Sequence, residues 1–155
     1  MVNIYYFDTS AIAKRYVQEI GSNWVQAVVD PMNNPILFVS RITWVELLSA
    51  ITRLQREQKL TQTNMNEIVR AMQYDFEKQY RIVESTQAVI REAGQLVQQH
   101  PLRTYDAIQL ASASQVYPLT QQLPSLGFTF VSADNRLVTV AQSLNWQVVN
   151  PNDPL

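Results

Sequence analysis

Four acidic residues stand where the surrounding sequence does not favour an acid: Asp8, Glu46, Asp106 and Asp134. Asp8 ends the run Ile4-Tyr5-Tyr6-Phe7 and is followed by the hydroxyls of Thr9 and Ser10. Glu46 lies inside Ile42-Thr43-Trp44-Val45-Glu46-Leu47-Leu48, and Asp106 opens Ala107-Ile108-Gln109-Leu110-Ala111. Asp134 follows the strand-like run Phe128 to Val131. Taken singly, each has a plain explanation. Asp8 and Asp134 suit helix N-caps, Asp106 suits a first helical turn, and Glu46 can pair with Arg53. Taken together, they suggest something else. Four ionised carboxylates brought to one place repel and raise one another's pKa. A hard divalent cation removes that cost and prefers oxygen ligands. Mg²⁺ keeps several waters and takes one or two carboxylates directly, so the remaining acids would hold waters or a second ion. Thr9 and Ser10 are placed to orient Asp8 or a bound water. Phosphodiester hydrolysis suits such a centre, because it needs neither a histidine nor a cysteine.

The composition agrees. Charged residues make up only 16% of the 155, against about 25% in ordinary domains, while hydrophobic residues make up 46%. Net charge is -1, so a polyanion must be met by a local patch. With no cysteine there is no disulfide, thiol nucleophile or zinc-thiolate site, and a single histidine argues against His-rich metal sites. The first apolar run is short and ends in Asp8, unlike a signal peptide, and no stretch is long enough to span a bilayer. The expectation is a cytoplasmic protein.

The elements that must position the acids follow from periodicity and punctuation. Strands are expected at Ile4 to Phe7, Ile36 to Val39, Arg81 to Val83, Phe128 to Val131 and Gln147 to Val149. Between them lie helical patterns: two short ones before Asp30-Pro31, then about Ile42 to Gln58 and Asn64 to Gln79. Another runs from Ala88 to Val97 and ends at His100-Pro101; the next runs from Tyr105 to Val116, and the last follows Asp134. Tyr117 to Gly127, with Pro118, Pro124 and Gly127, reads as a loop or broken turn. Alternating strands and helices give an α/β sandwich: a mostly parallel sheet with helices on both faces, over residues 1–150, and a Pro-rich tail, 151–155. Ligands in such sheets sit beyond the carboxyl ends of the strands, where Asp8 and Asp134 both fall.

The same residues resemble the PIN-domain nuclease pattern, in particular the VapC-type toxins of toxin–antitoxin pairs. The first motif is Phe7-Asp8-Thr9-Ser10-Ala11 and the second is Glu46 in Trp44-Val45-Glu46-Leu47. The third is Tyr105-Asp106-Ala107-Ile108-Gln109-Leu110-Ala111, and the fourth is Ser132-Ala133-Asp134-Asn135-Arg136-Leu137. The resemblance covers nearly the whole chain. It implies a PIN-like fold and a Mg²⁺- or Mn²⁺-dependent endoribonuclease, usually a homodimer, held inactive by a small antitoxin. Asp8, Glu46, Asp106 and Asp134 would then be the catalytic and metal-binding residues, with Thr9, Ser10 and Ser132 behind them.

Arg103, Lys14 and Arg41 are the basic residues singled out for RNA phosphates, with Arg15 and Arg136 also near the expected edge. The stripe Met65, Ile68, Val69, Met72 and Phe76 is a packing face or a groove for an antitoxin helix, and it is one option for a dimer surface. Other readings compete: a free-standing RNA-processing nuclease, or an inactive PIN-like module that only binds RNA or protein. A phosphorelay receiver is excluded, because it needs an acidic pair after the first strand and a late lysine. Here Thr9-Ser10 follows Asp8, and no lysine follows Lys78.

Overall fold

The computed structural model describes residues 2–155. Five strands, β1 (Val2–Phe7), β2 (Ile36–Ser40), β3 (Tyr80–Val83), β4 (Leu126–Val131) and β5 (Gln147–Val149), form one sheet in the order β3-β2-β1-β4-β5. Every pairing is parallel, so the sheet is wholly rather than mostly parallel. The helices are α1 (Thr9–Ile12), α2 (Ser22–Val29), α3 (Thr43–Arg56), α4 (Gln62–Lys78), α5 (Gln87–Gln99), α6 (Thr104–Gln122) and α7 (Asn135–Ser143).

Alternation along the strands builds two cores. Ile4 and Tyr6 of β1, with Phe128 and Phe130 of β4, face α5, α6 and α7. Phe7, Leu37, Val39 and Val131 face the opposite way, onto α1 to α4. A parallel sheet buried on both faces needs apolar side chains on both, which is why its strands read as continuous apolar runs. The central pairing is β1 with β4, from Val2 opposite Leu126 to Phe7 opposite Val131. The chain builds outward in both directions from that seam, which makes the crevice beyond Phe7 and Val131 the switch point of the sheet.

One expectation needs correction. Residues 117–122 are not a loop: α6 continues through Pro118 to Gln122, and only Leu123 to Ser125 join it to β4. A proline removes one backbone donor and crowds the preceding turn. That cost is borne here because Val116 and Thr120 are buried and Tyr117 packs edge-on against Phe128 and beside Trp146. Of the two readings of the Met65–Phe76 stripe, the packing face is the one observed. Met72 is fully buried, and Met65, Ile68 and Phe76 pack against this chain's own core. The C-terminal segment is docked at its start: Pro151 is buried, and its carbonyl oxygen lies 2.5 Å from where a Cβ on Gly21 would stand. Gly21, at φ +88°, begins α2 in a left-handed conformation, so glycine is required there both by backbone and by space.

Candidate active site

Asp8 leaves β1 at the switch point and caps α1, its Oδ1 accepting from the Ala11 amide at 2.9 Å. The side chain is 2% exposed. Two serines hold it: the Ser10 hydroxyl donates to Oδ1 at 2.7 Å and the Ser132 hydroxyl to Oδ2 at 2.6 Å. The pair ties the two strand ends together, Ser132 through Asp8 and Ser10 through the Ala133 amide. Ser10 accepts from the Ala133 amide and Ser132 from the Asp134 amide. Even with these donors, burial pushes the Asp8 carboxyl up to about 6. Desolvation outweighs the hydrogen bonds, and the nearby Asp134 adds to the rise.

Glu46, in the first turn of α3, is held from two sides. The Thr9 hydroxyl donates to its Oε1 at 2.7 Å and the Gln109 amide donates at 2.9 Å. No Glu46–Arg53 ion pair forms among the described residues, so that explanation of Glu46 is set aside. Gln109 is the residue that sequence reasoning quoted without giving it a role. It is 2% exposed; its Nε2 lies within 3.1 Å of oxygens on Thr9, Thr43 and Glu46, and its Oε1 accepts from the Tyr6 hydroxyl at 2.8 Å. The signal was an amide on the inward face of an otherwise apolar helix, where a buried polar group must find partners.

Asp106 lies in the first turn of α6 and accepts from the Arg103 amide at 3.3 Å. Asp134 caps α7, accepting from the Arg136 amide at 2.9 Å and from the Arg136 guanidinium at 2.8 Å. The guanidinium holds the Asp134 carboxyl below the usual range. It also reaches Asp106 at 3.7 Å and so bridges the two acids.

All four acids line one cavity of about 470 Å³ beyond the β1–β4 seam, together with Thr9, Ser10, Arg53, Arg103, Tyr105, Gln109 and Arg136. Among the described residues, however, no three acids stand close enough to enclose an ion as they are. The donor set still fits a hard divalent cation. It is all oxygen, and such ions take one or two carboxylates and keep their waters. No cation pairs with Asp8 among the described residues, while Asp106 and Asp134 are compensated only at the solvent edge, by Arg136 and, for Asp106, by Arg103 at 3.8 Å.

Of the basic residues expected near the edge, Arg103 and Arg136 line this cavity, and Arg136 is already engaged with Asp134 and Asp106. Lys14 is 4% exposed, its ammonium bonded to Glu19 at 3.0 Å and to the Ile20 carbonyl at 2.8 Å. It falls in a short 3₁₀ turn, Ala13–Arg15, which directs it back into the fold. Arg41 is exposed and paired with Glu84, away from the acids. Arg15 is committed to Asp75 at 3.1 Å and to the Tyr80 ring.

A parallel sheet whose switch-point crevice is lined by four acids in this chain order defines a class, and the family comparison agrees. The PIN domain family model matches residues 5–143, and the chain belongs to the PIN-domain family. Its relatives include Ribonuclease VapC45 and Ribonuclease VapC49, each from a strain of Mycobacterium tuberculosis. Each is 35% identical over 111 residues, covering 72% of this chain and 75% of the relative. Among solved structures, FitAcB from Neisseria gonorrhoeae superposes with a TM-score of 0.61 at 17% identity, covering 96% of this chain and 98% of that one. A toxin–antitoxin complex from Klebsiella pneumoniae gives 0.58 at 19% identity, with the same coverage. These two likenesses bear on the fold.

Proposed function

We propose that the protein is a metal-dependent endoribonuclease that hydrolyses RNA phosphodiester bonds, as the toxin of a toxin–antitoxin pair. The observation that carries this is the shared cavity of Asp8, Glu46, Asp106 and Asp134 at the switch point of a PIN-domain sheet. The ribonucleases among its relatives and the toxin–antitoxin complex among its structural neighbours support it. Mg²⁺ or Mn²⁺ is the cofactor, a small antitoxin the inhibitor, a homodimer the assembly and the cytoplasm the place of action. No helix is long and apolar enough to cross a membrane among the described residues.

When bound, the cation supplies Lewis acidity to the phosphoryl group and lowers the pKa of a water. The chain supplies the rest. Asp8 is fixed by Ser10, Ser132 and the Ala11 amide, so its oxygens hold a set direction. Glu46 is fixed by Thr9 and Gln109. Such support keeps carboxylates in place without reorganisation at the moment of reaction. Asp106 and Asp134 close the other side of the cavity. Arg103, 75% exposed in its side chain, stands at the rim, where a phosphate of the incoming strand can meet it.

The test is cleavage of total cellular RNA with and without EDTA, comparing wild type with Asp8→Asn, Glu46→Gln, Asp106→Asn and Asp134→Asn. Asn is as good a helix cap as Asp. The reading therefore expects all four variants to fold and to lose cleavage by orders of magnitude. Cleavage that survives EDTA, or full activity in Asp8→Asn, would overturn it. Sedimentation at increasing concentration tests the dimer, and co-purification with the product of an adjoining short reading frame tests the antitoxin.

A further inference from the structure

Beside the carboxylate cavity lies a second pocket, of about 330 Å³, lined by Val45, Glu46, Ser49, Ala50, Arg53 and Tyr105. It shares Glu46, Arg53 and Tyr105 with the first, so the two are adjoining parts of one groove. Two of its residues are large apolar side chains left in solvent: Tyr105 is 60% exposed and Val45 is 59% exposed. The Tyr105 ring has no aromatic partner, and its hydroxyl makes no hydrogen bond among the described residues. Arg53, where the two pockets meet, makes no ion pair among them either, and its side chain makes no hydrogen bond. By contrast Arg15, Arg41 and Arg136 are all committed to acids.

We propose that this pocket is a nucleobase subsite: Tyr105 stacks a base of single-stranded RNA next to the cleavage position, and Arg53 holds the phosphate attached to it. The inference rests on the endoribonuclease reading and names the form of RNA that it acts on. An exposed aromatic ring beside an unpaired cation matches the alternation of base and phosphate along a single strand. Stacking accepts any base, because every base has a π-face. A base within a duplex is already stacked and cannot reach Tyr105, so the groove selects unpaired RNA. Arg53 also offsets the repulsion between the incoming phosphates and the acids, which a chain of net charge -1 does not do globally.

The experiment uses the full chain carrying Asp8→Asn, with Mg²⁺ present, so that RNA is bound without being cut. The probe is a short single-stranded RNA of randomised sequence containing the fluorescent base aminopurine. Bound to this protein, the base is expected to be quenched. Adding Tyr105→Ala should weaken binding roughly tenfold and abolish the quenching, while Tyr105→Phe and Tyr105→Trp keep both. Arg53→Ala should weaken binding but leave residual quenching. A duplex of the same length, whose aminopurine is already stacked, should bind more weakly and show no further quenching on addition of the protein. Melting temperatures should be unchanged, since both side chains are exposed and unpaired. Unaltered affinity and quenching in Tyr105→Ala would overturn the subsite while leaving the nuclease reading intact. Failure of the Asp8→Asn protein to bind single-stranded RNA, with no cleavage by wild type, would overturn the nuclease reading itself.

Discussion

Asp8 has two roles that pull its chemistry in opposite directions. As the cap of α1 it gains from being an acceptor; as a carboxylate 2% exposed it suffers from being charged. The second effect is the larger, and burial lifts its pKa to about 6. The consequence for stability has a definite sign. Because the folded state holds the proton more tightly than the unfolded chain, ionising Asp8 costs stability as pH rises from about 4 to about 6. The full cost, on the order of 3 kcal/mol, is present above pH 6 and absent below about pH 4. Asn keeps the cap and removes the charge. In EDTA, Asp8→Asn is therefore expected to be more stable than wild type at pH 8, by up to about 3 kcal/mol. That advantage should fade between pH 6 and pH 4. Urea denaturation of both proteins across this range checks it. Equal stability at pH 8 would mean that the Asp8 charge is already compensated without a cation.

At the scale of elements, the strands and most helices were legible because alternation and caps are local signals. The four acids were legible because each sits at an element's beginning or interior where charge is out of place. What could not be read locally was direction. Lys14 follows Asp8 closely, yet the switch from α1 to a 3₁₀ turn aims it at Glu19. Gln109 organises Glu46 from another helix, across 63 residues of sequence. Pro118 reads as a break and is not one, because the contacts of Tyr117 and Val116 are tertiary. Arg136 makes a similar point about α7. A cation in the first turn of a helix sits at the wrong end of its dipole. It is held there by Asp134 and Asp106. If those acids help to hold a divalent cation, Arg136 competes with it. Arg136→Gln is expected to tighten Mn²⁺ binding severalfold by isothermal titration, with little change in melting temperature, because an exposed ion pair contributes little. Weaker Mn²⁺ binding in that variant would show that Arg136 positions the acids and does not compete at them.

For the whole molecule, the acids tie together segments that are distant in the chain. Asp8 and Asp134 close the β1–β4 seam, Glu46 belongs to the α1–α4 side of the sheet, and Asp106 to the α5–α7 side. A cation bound among them would link both layers, and it would bind only the folded chain, since the unfolded chain does not assemble the cavity. Ligand binding of this kind raises stability by mass action, about 2.7 kcal/mol at a hundredfold excess over the dissociation constant. For a chain of this size that corresponds to roughly 5–10 °C in melting temperature. The expectation is that saturating Mg²⁺ or Mn²⁺ shifts the wild-type melting temperature by about that much relative to EDTA. The informative quantity is the shift and not the temperature itself, since Asp8→Asn begins from a more stable metal-free state. The shift should shrink in each of Asp8→Asn, Glu46→Gln, Asp106→Asn and Asp134→Asn. In a double variant it should shrink little further than in the worse single one, because groups serving one ion are not additive. Two results would defeat this. No shift with either ion in wild type removes the cation from the site. A shift that persists undiminished in Asp8→Asn places the ion elsewhere on the molecule and leaves Asp8 as the cap of α1 alone.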